Sequence, residues 1–235
     1  MNSASLPPLP LPTSLEGVYF VTLRLRDALP ESFSQNLGLQ YYNRQVEIAQ
    51  GSHRLEHLHK LRKVLFKRFD IALDLGKYGS SRLHNPLLAQ IVADAIQELD
   101  GKIFEVLAYA VLPNHIHLLL DLHTSEPGNP HAIDVELIDC KALRATIERL
   151  RNALEQSLKI DFWQLESSAP PTTFHKHRSN GTIQNSGKIW HERSFDFQIT
   201  TAAEFEKCAQ FILQNPVSAE LTTHWQDWPY LFWKK

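Results

Sequence analysis

Two histidines separated by one apolar residue, His115-Ile116-His117, open a run that continues as Leu118-Leu119-Leu120. An unbroken apolar run directly after Pro113-Asn114 reads as a β-strand. Side chains alternate faces along a strand, so the two imidazoles point the same way and Ile116 points opposite, into the core. Same-face residues two apart are roughly 6–7 Å apart along the backbone, a spacing from which two imidazoles converge on one divalent cation. A lone buried histidine is more often a satisfied core residue than a ligand. A same-face pair beside a turn favours a metal site. Two other His-x-His triplets act as controls. His57-Leu58-His59 lies in a helical pattern, where residues two apart are roughly 200° apart round the axis and cannot share an ion. His175-Lys176-His177 has a charged centre and a polar, loop-like setting.

The elements that position this pair can be read outward from it. Ile103 to Leu112 is a strand, Pro113-Asn114 a tight turn, and His115 to Leu122 the partner strand of a hairpin. Asn85 caps a helix with Pro86 at its first position, running to about Leu99 with Leu88, Ile91, Val92, Ala95 and Ile96 inward. Asp100-Gly101 is a turn. Upstream, Gly17 to Arg26 alternates, with Tyr19, Val21, Leu23 and Leu25 on one face and Thr22, Arg24 and Arg26 on the other. That is a half-buried strand with a basic outer face. Ala28 to Gln40 reads as a loop or short helix. Tyr41 to Leu75 is helical, with Leu55, Leu58, Leu61, Leu65 and Phe69 as its core stripe. Its other faces carry Arg54, Lys60, Arg62, Lys63, Lys67 and Arg68 against Glu56 alone. A charge run is as often a plain solvated face. One this one-sided is the best candidate for contact with a phosphate backbone.

Downstream, Val135 to Leu158 is a helix. Residues 161–188 are polar, with Pro170-Pro171, Gly181 and Gly187, and read as a long loop insertion. Ile189 to Ile199 is a strand or extended segment. Thr201 to Glu204 is a capping box opening a last helix that continues to Asn215, where Pro216 ends it. The aromatic tail Trp225 to Trp233 either stacks on bases or packs over the domain edge, the second being the favoured reading. This order of elements fits an α+β sandwich on an antiparallel sheet.

The chain has 235 residues, 43% hydrophobic and 21% charged, which suits one globular domain with a real core. Residues 1–16 read as a flexible arm and 17–235 as the domain, with the insertion at about 161–188. No apolar run approaches the ~20 residues that span a bilayer. Cys140 and Cys208 are too few for a disulfide framework, which points to a cytoplasmic setting. The net charge of -2 gives no global pull toward nucleic acid, so a DNA-binding surface has to come from local clustering.

Leu112-Pro113-Asn114-His115-Ile116-His117-Leu118-Leu119-Leu120 resembles the HUH motif of the REP-associated tyrosine transposases, a single-tyrosine family. Four further segments resemble that family in the same order. They are Tyr19 to Leu25 as the first strand, Asn85-Pro86-Leu87 opening the helix before the hairpin, and Trp190 to Ile199 with Asp196. The fourth is Phe211-Ile212-Leu213-Gln214-Asn215-Pro216-Val217, with a Trp-Pro-like tail at Trp228-Pro229. The likeness spans roughly residues 17 to 230. It implies a ferredoxin-like, RRM-like sandwich with an antiparallel central sheet, helices on one side and the histidines on the central strand. It also implies a divalent metal, Mg²⁺ or Mn²⁺, held by His115, His117 and Asn215, and single-stranded or hairpin DNA as partner. Such proteins occur as monomers or homodimers. Arg24 and the basic residues Arg54, Lys60, Arg62, Lys63, Lys67 and Arg68 are the expected DNA contacts.

In that family the metal polarises a DNA phosphate and a tyrosine on the last helix attacks it, leaving a 5′-phosphotyrosine link. Here Phe211 stands where the tyrosine is expected, and phenylalanine has no oxygen with which to attack. Four readings follow. The chain is a disarmed, DNA-binding relative of the transposases. Or another tyrosine substitutes, Tyr109 first, with Tyr41, Tyr42 and Tyr230 behind it. Or activated water cuts the strand. Or the sheet binds RNA or a protein, although no strand is aromatic-rich in the manner of an RNA-binding sheet.

Overall fold

The computed structural model describes residue 12 and residues 17–48, 54–122, 135–159 and 188–234. The arm and most of the insertion lie outside the described residues. Among the described residues, five antiparallel strands form one sheet: β1 (Val18–Arg24), β2 (Glu105–Val111), β3 (His115–Asp121), β4 (Phe195–Gln198) and β5 (Leu231–Trp233). Their order across the sheet is β4-β1-β3-β2-β5, so the histidine strand is the middle one. The helices are α1 (Glu31–Ile48), α2 (Arg54–Asp74), α3 (Pro86–Leu99), α4 (Val135–Leu158) and α5 (Ala202–Ser218). This is the expected α+β antiparallel architecture. No helix among the described residues is long and apolar enough to cross a membrane.

The hairpin forms where it is expected. Leu112 N–H donates to the His115 carbonyl across the Pro113-Asn114 turn. Val111 pairs with Ile116 and Ala110 with His117. Asn85 caps α3 by accepting from Leu87 N–H, with Pro86 behind it, the arrangement its sequence dictates. The aromatic tail supplies β5, an edge strand on β2, and the Trp228 indole N–H donates to the Val111 carbonyl.

Register decides which face each side chain joins. Thr22 pairs with His117 and Arg24 with His115, so Val18, Phe20, Thr22 and Arg24 share the histidine face. Tyr109 pairs with Leu118 and lies on the opposite face. There its hydroxyl is bonded to Gln97 of α3, and α4 packs on α3. These two helices are the layer expected on one side. The other side is covered as well, because α2 and α5 bring Phe66 and Phe211 onto Phe20 and His117.

Three expectations need correction. β1 is buried on both faces along its whole length, so Arg24 is an interior residue and not part of a basic outer face. α1 begins at Glu31, inside the segment read as a loop or short helix. It buries none of its residues fully, so its sequence carries no strong apolar stripe to reveal it. α5 runs through Pro216 to Ser218. Proline costs a helix one internal N–H and a clash, yet packing overrides that here. Pro216 is buried, and the helix end is sealed one turn later, by Ala219 N–H on the Asn215 carbonyl and Leu221 N–H on the Pro216 carbonyl.

Candidate metal centre

The two imidazoles lie within the core, His115 at 1% and His117 at 0% exposure. Their Nε2 atoms face each other at 3.0 Å. The outer nitrogens are held from behind. Asn114 donates its amide to the Leu73 carbonyl at 3.0 Å, which turns its Oδ1 toward His115 Nδ1 at 2.6 Å. That network assigns the His115 proton to Nδ1 and leaves Nε2 a lone pair. His117 Nδ1 is 2.9 Å from the Thr22 hydroxyl, and with its proton there it too presents a bare Nε2. Two lone pairs at this separation repel unless a cation lies between them. This is how metal-binding histidines are oriented by their outer partners.

Two carboxylates complete the pocket, both from the last turns of α2. Asp70 Oδ1 is 3.1 Å from His117 Nε2, and Asp74 Oδ1 is 3.7 Å from His115 Nε2. Ligand atoms of Asp70, His115 and His117 all lie within 4.8 Å of one another. The surroundings are apolar. The rings of Phe20, Phe66 and Phe211 lie 5.6, 6.0 and 5.1 Å from His117.

Such burial disfavours charge. It holds His117 down to about 3 and His115 well below the ordinary imidazole value, the neighbouring His117 adding to the effect. Both are therefore neutral at pH 7, the form that ligates metal. Burial also lifts Asp70 to about 7 and Asp74 to about 7, the latter helped by the charge on Asp70.

The residues fit a divalent ion on this structure's own terms. Oδ1 of Asp70, Oδ1 of Asp74 and both side-chain polar atoms of Asn215 are buried without a hydrogen-bond partner among the described residues. Orphaned buried polar groups are costly, and ion coordination is the plainest way to satisfy the carboxylate oxygens; the Asn215 Nδ2, a donor, is not satisfied by a cation. Two imidazole nitrogens with carboxylate or amide oxygen suit Mg²⁺, Mn²⁺ or Zn²⁺.

The residues singled out from sequence fall on different faces of the molecule. Phe211 is partly buried with its ring on His117, and Asn215, 1% exposed, is one turn further along α5. Tyr109 is 5% exposed and stacks on Phe232 at 5.6 Å, on the far face of the sheet. Tyr42 is 63% exposed on α1.

The basic run is largely engaged within the molecule. Lys63 pairs with the buried Glu204, Lys60 with Glu56, and Arg62 approaches Asp196 at 3.9 Å. Arg68 donates to Gln40, and Lys67 is exposed. The side chain of Arg54 is outside those described. Glu204 also accepts from Thr200 N–H and faces His59, so part of the run anchors the start of α5.

Asp70 and Asp74 were not legible as ligands. One signal was present. They interrupt the buried stripe Phe66, Phe69, Leu73 of α2 at a spacing of four, and an acid inside an apolar stripe needs a partner there.

Comparisons with known proteins add little. No family model matches the chain, and no curated protein matches it. Among solved structures, a REP-associated tyrosine transposase bound to a REP hairpin aligns with 92% of this chain and 75% of its own, at 15% identity and a TM-score of 0.40. A likeness of that size does not establish kinship.

Proposed function

We propose that this protein binds single-stranded or hairpin DNA through a divalent-metal centre of the HUH transposase type, with the position of the attacking tyrosine occupied by Phe211. The observation that carries the reading is the pair of buried, neutral imidazoles with opposed Nε2 atoms 3.0 Å apart, beside Asp70 and beneath the Phe211 ring.

His115, His117 and Asp70 would hold the ion, with Asn215 as the further ligand expected from sequence. A bound ion supplies charge neutralisation and alignment of a DNA phosphate. The chain's own groups do the rest. Asn114 and Thr22 fix the imidazole orientations, and the phenylalanine rings keep water from the site and strengthen its electrostatics. Phe211 offers no nucleophile, and Tyr109 is on the other side of the sheet from the site, so the disarmed form is the reading favoured among those that keep DNA as partner.

The deciding assay presents hairpin-flanked single-stranded DNA with Mn²⁺ or Mg²⁺ to the native chain and to Phe211→Tyr. The expected result is binding without cleavage for the native chain and a covalent protein–DNA band gained by Phe211→Tyr. A covalent band from the native chain means a substitute tyrosine. Cleavage without such a band means activated water. Absence of binding by either protein overturns the DNA reading.

A further inference from the structure

Another face of α2 lines a separate cavity of about 210 Å³. Arg62, Leu65 and Phe69 form one wall, α1 contributes Ser34 and Tyr41, and His191, Arg193, Ser194 and Phe195 complete the lining.

At its base is Arg24, 2% exposed. Its guanidinium has five N–H donors, of which two are directed at protein. One meets the Ser34 hydroxyl at 2.8 Å and one the Arg26 carbonyl at 3.4 Å. No carboxylate among the described residues forms an ion pair with it. Glu31 and Asp27 act on it only through space, and burial lowers it to about 10, so it is still charged at neutral pH. A buried, hydrogen-bonded but unpaired cation is costly, and an anion in the cavity would relieve that cost.

The remaining lining has the matching chemistry. Arg62 and Arg193 stand at the exposed rim with His191. Among the described residues, four acids stand around this rim, and none forms an ion pair with Arg24: Glu31, 71% exposed and 3.9 Å from His191, Asp27, which acts on Arg24 through space, Glu192, which acts on His191, and Asp196, 3.9 Å from Arg62. The walls are aromatic: Phe69 and Phe195 stack at 5.7 Å, and the Arg24 guanidinium lies 5.9 Å from the Phe69 centroid. Arginine forks match phosphate, and flat rings accept a base. Arg24 is also the cross-strand partner of His115, which places the cavity's base beside the metal centre on one sheet face.

We propose that this cavity is a nucleotide subsite, in which Arg24, Arg62 and Arg193 take the phosphate and Tyr41 and Phe195 the base. The nucleotide is a link in a DNA strand or a free mononucleotide, and the proposal rests on the DNA reading only for the first source. The test measures binding of a fluorescently labelled hairpin-flanked single strand by anisotropy, and of dAMP by calorimetry. It compares the native chain, Arg24→Gln and the double variant Arg62→Ala/Arg193→Ala, whose exposed positions leave the fold intact. The expected result is a tenfold or greater loss of strand affinity in both variants, whether or not dAMP alone binds. Arginine-dependent dAMP binding with no strand binding keeps the cavity and removes the DNA reading. Strand binding equal in all three proteins, with no arginine-dependent dAMP binding, overturns the subsite and leaves the DNA reading standing. No binding of either ligand by the native chain overturns both.

Discussion

At the scale of single residues, the molecule places groups that prefer water where water is absent. Asp70 is 5% exposed, and its carboxyl, lifted to about 7 by burial, must lose its proton to ligate an ion. Metal affinity is therefore expected to rise about tenfold per pH unit below 7 and to level off above it, as one proton is displaced. Calorimetric titration with Mn²⁺ from pH 5.5 to 8 measures this, and a flat profile would remove Asp70 from the ligand set. At a hundredfold excess over Kd the ion should stabilise the fold by about 2.7 kcal/mol, an effect lost in His117→Ala and Asp70→Asn.

Without metal the sign reverses. A carboxyl whose folded value exceeds its unfolded one stabilises the fold fully at low pH, and that contribution disappears as pH climbs through about 7. Metal-free Asp70→Asn should accordingly be more stable than the native chain at pH 8, on the order of 2 kcal/mol, in urea denaturation. The histidine pair was legible from the alternation of a strand alone. The carboxylates opposite were not, because their role depends on how α2 lies across the sheet, and helix periodicity carries no information about that partner.

At the scale of elements, punctuation was easier to read than coverage. Asn85-Pro86 and Thr201 start their helices as their chemistry requires, since each side chain accepts from an orphan N–H. The extent of α1 was missed because no buried stripe marks it. The basic run on α2 was recognised as one-sided, yet Lys63 serves the buried Glu204, a partner 141 positions on that no local pattern reveals. Lys63→Met should thus lower the melting temperature, whereas Lys67→Ala, exposed on the same helix, should not.

The loop after α2 has a sharper constraint. Gly79 has φ of 64°, and a Cβ there would lie 1.6 Å from the Asp27 carbonyl oxygen. Gly79→Ala must displace the backbone after β1, with an expected loss of about 2 kcal/mol or more in thermal melts.

At the scale of the whole molecule, the net charge is -2 and exposed cations are spread over several elements, Lys77, Lys102, Arg149 and Lys207 among them, with Lys60, Lys67 and Arg68 grouped on α2. If that region meets single-stranded DNA, binding weakens with salt at a slope of about 0.7 per phosphate contact. Replacing Lys60, Lys67 and Arg68 together by alanine should then reduce the slope by about 2, and an unchanged slope would place the strand elsewhere.

The rings of Phe66 and Phe211 touch at 5.6 Å directly over His117, which is 0% exposed. An ion can slip past such a seam during ordinary side-chain motion, but a phosphodiester cannot. Anything larger has to wait for α2 and α5 to part, so the observed association rate of a strand should climb with its concentration and then reach a plateau set by the protein alone.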